Sequence, residues 1–288
     1  DPRGDRHDRG VPFSSMSAQL VPAGLQPWLA ASPVLAAFVF SFFAGVVLTG
    51  AGAISVLVFG TLGEKRNNAL LSFAAGVMLA ASFFSLLLPG IELASSASGS
   101  KSSAALAMAL AVGAGAAALW AIHRFVPHEH FVKGCEGEGC ERLKRVWLFV
   151  LAIAIHNLPE GMATGVAAAS GDATNAVSVA LGIGLQNAPE GLAVTAALLS
   201  QGYLRSRAIA IGVLSGVIEP LGAVLGAATI ALAGGLLPWG LGFAAGAMLY
   251  VISEEIIPET HRAGREASAT AMLFVGFLAM MYLDVALA

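Results

Sequence analysis

The chain has 288 residues, 57% of them hydrophobic and 11% charged, with a formal net charge of −3 and a mean hydropathy of +0.79. The apolar residues run unbroken: residues 10–63 and 220–253 hold no Asp, Glu, Lys or Arg. A soluble core helix is rarely apolar for 18 residues, whereas about 30 Å of hydrocarbon needs about 20, so an ordinary soluble domain is excluded and a polytopic membrane protein is expected.

Residues 1–32, opening DPRGDRHDRG, lack the basic-then-apolar pattern of a cleaved signal peptide and are expected to be a disordered or appended N-terminal segment. The remainder, 33–288, reads as one domain with spans near 34–60, 67–90, 103–123, 146–170, 174–199, 208–231, 239–258 and 267–287. The run 220–253 is too long for one helix, and AGGLLPWG at 233–240 supplies Gly and Pro to turn it. The fold class is therefore all-α with eight transmembrane helices. A barrel strand would alternate apolar and polar over about ten residues, and no segment does so.

Eleven of the fifteen Lys and Arg fall in the loops after spans 1, 3, 5 and 7. Basic residues in short loops stay on the cytoplasmic side, so both termini face outside and the loop 124–145 is cytoplasmic. Cys135 and Cys140 lie in that loop, where thiols are kept reduced, and no structural disulfide is expected. With His128 and His130 they offer metal ligands, but a plain linker is the stronger reading of this Gly- and Glu-rich stretch.

Spans 4 and 5 carry the pair IHNLPEGMATG (155–165) and LQNAPEGLAVT (185–195), and spans 2 and 7 carry FAAGVMLAASFFSLLLPG (73–90) and FAAGAMLYVISEEIIPE (243–259). Each pair sits on spans of opposite direction, so a direct sequence repeat becomes an inverted structural one, the device with which many transporters build a midplane site. Proline and glutamate are both disfavoured in spanning helices, which makes chance a poor account of the doubled Pro-Glu-Gly.

Glu160, Glu190 and Glu219 lie near the centres of spans 4, 5 and 6. A charge at a helix centre costs roughly 2.5–3.5 kcal/mol on insertion scales, and no Lys or Arg shares that depth, so the partner is protons or a bound cation. His156, Asn157 and Glu160 share one helix face by their three- and four-residue spacing, and Gln186, Asn187 and Glu190 repeat the arrangement. Met78 at the centre of span 2 lies at the same depth as Glu219. Imidazole, carboxylate and a soft sulfur favour Zn2+, Cd2+ or Fe2+ over Mg2+ or Ca2+, and two ions bridged by Glu160 and Glu190 offset three carboxylates better than one. Pro159 and Pro189 leave carbonyls without helical partners, which is tolerated at this depth where backbone lines a polar cavity. The GxxxG runs at 161–165, 212–216, 222–226 and 242–246 read as packing.

Glu254, Glu255, Glu259 and His261 at the cytoplasmic end of span 7, together with His128 and His130, offer an exit path or an ordinary solvated helix end. Asp284 and Glu92, near the outer ends of spans 8 and 2, would attract cations at an entrance or merely mark the interface.

On HNLPEG and QNAPEG the chain resembles the ZIP (Zrt/Irt-like protein) family of divalent metal transporters, most closely its bacterial GufA-like branch. The resemblance implies a 3+2+3 arrangement of the eight helices with inverted repeats. It also implies a multi-pass protein of the bacterial cytoplasmic membrane that takes Zn2+, and also Cd2+, Fe2+ or Mn2+, into the cytoplasm through a binuclear centre. The ligands it implies are His156, Asn157, Glu160, Gln186, Asn187 and Glu190, with Met78 and Glu219 beside them. Spans 1, 4, 5 and 6 would move against 2, 3, 7 and 8, and a homodimer is compatible with it. Many eukaryotic members carry His where this chain has Gln186. A passive channel with the same site is the main alternative. An intramembrane metalloenzyme is disfavoured, because His156 lacks the second histidine of H-E-x-x-H. No enzymatic activity, resident cofactor or nucleic-acid partner is expected.

Overall fold

A computed structural model of the protein describes residues 24–60, 63–125, 128–130, 134–136, 145–200, 202–261 and 264–287. Six helices in it are long and apolar enough to cross a membrane: α1 (Pro33–Val58), α2 (Lys65–Ser98), α3 (Lys101–Phe125), α6 (Arg205–Leu232), α7 (Gly234–Thr260) and α8 (Glu266–Ala286). Between α3 and α6 lie two further long helices, α4 (Arg145–Ala169, 25 residues) and α5 (Ala173–Ser200, 28 residues), which carry the Pro-Glu-Gly motifs. Among the described residues the fold is helical apart from one antiparallel pair within the stretch expected to be a linker, β1 (His128–His130) with β2 (Gly134–Glu136), in whose register Glu129 pairs with Cys135.

The helices end where the chain chemistry ends them. Gly99, with φ +65°, closes α2 and donates its N–H to the Ser95 carbonyl, a conformation that carries no steric cost only in glycine. Asp172 begins α5: its Oδ1 accepts the N–H groups of Thr174 (2.9 Å) and Asn175 (3.1 Å), two of the donors a helix start leaves unpaired.

Helical structure reaches into the segment 1–32. Leu25–Ala31 forms a short helix with Leu29 fully buried, and the Gln26 amide bonds the Gly171 carbonyl and accepts the Ala173 N–H, clamping the α4–α5 turn. Part of the segment 1–32 is therefore folded, because Leu29 and Trp28 find an apolar surface of small residues to bury against. Residues 1–23 lie outside the described residues.

Close packing is set by glycine against carbonyl oxygen, and the contacts come in matched sets. A Cβ on Gly161 of α4 would collide with the Glu219 carbonyl of α6, and one on Gly222 of α6 would approach the Leu158 carbonyl at 2.6 Å; Gly165 and Gly226 extend the same seam. On the other side Gly191 of α5 meets the Thr49 carbonyl of α1, and Gly52 of α1 meets the Ala188 carbonyl. Likewise Gly76 of α2 meets Leu273 of α8 while Gly276 meets Phe73, and Gly246 of α7 meets Val112 of α3 while Gly115 meets Phe243. The pairs Thr49/Glu219, Gly52/Gly222, Phe73/Phe243, Gly76/Gly246 and Met78/Met248 all share one sequence separation. Each crossing is thus made twice. Such backbone approach replaces the driving force that water supplies in soluble proteins.

The helical regularity yields at corresponding places too. Wide π-type turns interrupt α2 at Ser82–Leu87 and α7 at Ile252–Ile256, and α1 has one at Phe42–Val47. Helix α6 is broken between Ser215 and Ile218, just before Glu219. Met78 and Met248 lie together in the largest apolar core, between the two sets of helices.

Candidate metal centre

Helix α4 runs unbroken through Pro159 and α5 through Pro189, so the local opening expected at both motifs leaves each helix continuous, and the full break falls in α6 instead. Proline inside a helix removes one ladder bond without ending the helix when neighbouring helices support it.

Asn157, Glu160, Gln186, Asn187 and Glu219 are all at most 1% exposed, Met78 is buried in the main apolar core, and Glu190 is half-buried. Asn187 donates through Nδ2 to the Ala44 carbonyl (2.8 Å) and to both oxygens of Glu219 (3.0 and 3.1 Å). Asn157 donates through Nδ2 to the Ser215 carbonyl (3.0 Å). Each asparagine therefore pins its motif to a carbonyl beside an irregular turn, in α1 and in α6 respectively. Gly45 leaves the space that the Glu219 carboxyl fills, since a Cβ there would stand 2.7 Å from its Cδ.

Glu160, Glu190 and Glu219 lie close enough to repel one another, and the Gln186 amide adjoins Glu160. Glu160 Oε2 and the Oδ1 atoms of Asn157 and Asn187 have no hydrogen-bond partner among the described residues. Buried polar atoms are nearly always paired, so an inward-facing group of unpaired oxygens around mutually repelling carboxylates is suited to a cation. Among the described residues no three His, Cys, Asp or Glu side chains converge into a closed metal site on their own. The donors here are carboxylates mixed with neutral amides, and the His156 side chain lies outside the described residues.

The outlying candidates separate. Asp284 is buried and accepts hydrogen bonds from Ser85 Oγ of α2 (2.7 Å) and Ser178 Oγ of α5. Glu92 is exposed on α2. Glu255 is buried, with its Oε1 2.9 Å from His123 Nε2 of α3, and Tyr250 meets the same imidazole edge to face at 5.3 Å. Glu254 borders a surface pocket with Trp120, His123, Arg124 and Tyr250, and Glu259 is half-buried. His261 is tied to the helix end: Nδ1 lies 3.1 Å from the Ile257 carbonyl and Nε2 3.0 Å from Thr270 Oγ1. The structure thus brings Glu254 and Glu255 together with His123, which sequence reasoning passed over, and does not bring His261 to them by any described bond. The side chains of His128 and His130 lie outside the described residues, as does all of Cys140. The Asp284–Ser85 and His123–Glu255 contacts occupy corresponding places in the α2–α8 and α3–α7 crossings.

Comparison with known proteins decides the family. Residues 127–284 match the family model described as ZIP Zinc transporter. The chain is 49% identical over 244 residues to "Zinc transporter ZIPB" of Bordetella bronchiseptica, covering 85% of this chain and 79% of that one. It is 45% identical over 252 residues to "Zinc transporter GufA" of Myxococcus xanthus (88% and 99% covered) and 35% identical over 336 residues to "Zinc transporter ZIP11" of Bos taurus (89% and 98% covered). The chain belongs to the ZIP zinc transporter family. The matched region of this ZIP protein contains both Pro-Glu-Gly motifs and Glu219.

Proposed function

We propose that the chain carries Zn2+, and with it related ions such as Cd2+, Fe2+ or Mn2+, across the membrane into the cytoplasm by alternating access. The cage consists of His156, Asn157, Glu160, Gln186, Asn187 and Glu190, flanked by Met78 and Glu219, and holds two ions bridged by Glu160 and Glu190. The observation that carries this reading is three neighbouring carboxylates, Glu160 and Glu219 buried and Glu190 half-buried, beside asparagine oxygens that have no hydrogen-bond partner among the described residues. Divalent cations offset the cost of such charges at the midplane, where no Lys or Arg stands to pair with them. The names of the relatives agree with the choice of zinc.

In this reading α1 to α8 all span the bilayer in a 3+2+3 arrangement, with both chain ends outside. The matched glycine crossings support it: α1 relates to α6, α2 to α7, α3 to α8 and α4 to α5. Helices α1, α4, α5 and α6 then form one packed unit and α2, α3, α7 and α8 the other, with the cage between them. Sliding of one unit against the other exposes the cage to either side.

The test is zinc uptake into proteoliposomes. Glu160→Ala and Glu190→Ala each reduce uptake to background while the protein still inserts and elutes as wild type. Uptake at the wild-type rate in both variants ends the proposal.

A further inference from the structure

We infer that Thr49 is a further residue of the metal centre, its hydroxyl supplying a neutral oxygen opposite the Glu219 carboxylate and thereby tuning which cation is held. The inference rests on the cage proposed above.

Thr49 holds the place in α1 that Glu219 holds in α6. The Glu219 carbonyl receives Gly161, and Gly222, three residues on, receives the Leu158 carbonyl; the Thr49 carbonyl receives Gly191, and Gly52, three residues on, receives the Ala188 carbonyl. Leu158 and Gly161 bracket Pro159–Glu160 as Ala188 and Gly191 bracket Pro189–Glu190. The asparagines correspond as well, Asn187 bonding to Ala44 of α1 and Asn157 to Ser215 of α6. Glu219 sits on the amide of Asn187. The same relation directs the Thr49 hydroxyl toward Asn157.

The state of the hydroxyl is the independent observation. Thr49 is 1% exposed, and its Oγ1 has no hydrogen-bond partner among the described residues, nor has Asn157 Oδ1. A helical Thr or Ser usually satisfies its hydroxyl on the carbonyl four residues back, as Thr164, Thr229, Ser72 and Ser82 do here. For Thr49 that carbonyl belongs to Gly45, inside the π-type turn Phe42–Val47 and packed against Gly216. The turn takes away the local acceptor and leaves a buried hydroxyl at the depth of Gln186–Glu190, with its methyl against Gly191. An unpaired hydroxyl in such a place is costly, and a cation in the cage repays it with an oxygen contact.

Under this arrangement the cage has a charged oxygen donor on the α6 side and a neutral one on the α1 side. Neutral hydroxyl oxygen adds little for a soft ion such as Cd2+ and more for borderline Zn2+ or a harder ion, so Thr49 adjusts the balance that Met78 tilts toward soft ions.

The experiment uses the purified full chain and Zn2+ alone, with binding read by competition against a chromophoric chelator and the melting temperature of the metal-free protein measured in parallel. Thr49→Val, which keeps the shape, lowers Zn2+ affinity about tenfold, the scale of one oxygen contact to a charged group, and Thr49→Ser restores it to within about twofold of wild type. The metal-free Thr49→Val protein melts no lower than wild type, because it has lost an unsatisfied hydroxyl. Wild-type affinity in Thr49→Val overturns the inference, and so does a loss that Thr49→Ser shares, since the hydroxyl is then not the cause. Glu160→Ala separates the two levels: if it abolishes binding while Thr49→Val does not alter it, only the Thr49 inference fails, whereas wild-type protein that binds no Zn2+ overturns the cage itself.

Discussion

Glu160 and Glu190 are two halves of one arrangement, yet their neighbours differ. The first residue of each motif is His156 in α4 and Gln186 in α5, and the counterpart of Glu219 is Thr49. In the proposed cage each difference sets a neutral side chain on the α1 and α5 side against a stronger donor on the other. Gln186 is buried with its amide beside Glu160, a place from which a ring nitrogen could act instead. Gln186→His is therefore expected to raise Zn2+ affinity by roughly tenfold relative to Mn2+, because imidazole adds a nitrogen ligand that zinc prefers. Competitive titration of the two ions checks it, and an unchanged Zn2+ to Mn2+ ratio would show that position 186 does not face the ions.

At the scale of the element, the helices hold together where glycine lets a backbone approach a carbonyl. Gly246→Ala of α7 places a methyl on the Val112 carbonyl, and Gly76→Ala of α2 does the same at Leu273. Each variant should lose about 1–3 kcal/mol by overpacking, and similar amounts because the crossing is the same. Gly113→Ala, with nothing within 4 Å of the new atom, should be neutral or slightly stabilising. Thermal melting in one detergent compares the three; equal stability of Gly246→Ala and Gly113→Ala would contradict the packing described. The GxxxG spacing announced such seams, but not that the 161–165 run faces the 222–226 run or that Gly76 has no need of a second glycine four residues away. A spacing shows which residues share a face, and only the fold shows what that face meets. The π-type turns were invisible for a related reason: nothing in FFAGVV, SFFSLL or ISEEI marks the place where a helix widens.

For the whole molecule, the long charge-free runs made the spans legible with boundaries close to the observed helices, because hydrocarbon thickness leaves little freedom in length. The Leu25–Ala31 helix was missed because it is too short to register as a span and is held by tertiary contacts of Leu29 and Gln26. His123 was passed over because it precedes Arg124 at the end of a charge-free run, where a polar residue reads as interfacial; its contact with Glu255 belongs to the crossing of α3 and α7. The carboxylates and amides proposed for the centre were conspicuous in the sequence because polar groups in the midplane are costly enough to stand out one by one. Thr49 was not, since one hydroxyl in a helix ordinarily satisfies itself. Buried polar contacts at Asp284 and at His123 lie at corresponding places of the two outer crossings, so these polar contacts follow the same two-fold pattern as the glycine packing.

The central claim is that buried carboxylates on α4, α5 and α6 are held in the membrane by divalent ions. Anomalous diffraction from crystals grown with Zn2+, recorded at energies above and below the zinc edge, tests it most directly. The account predicts two zinc peaks at the level of Pro159 and Pro189, both within coordinating distance of Glu160 and Glu190. Zinc bound only outside the helical core, with no peak near either carboxylate, would contradict it.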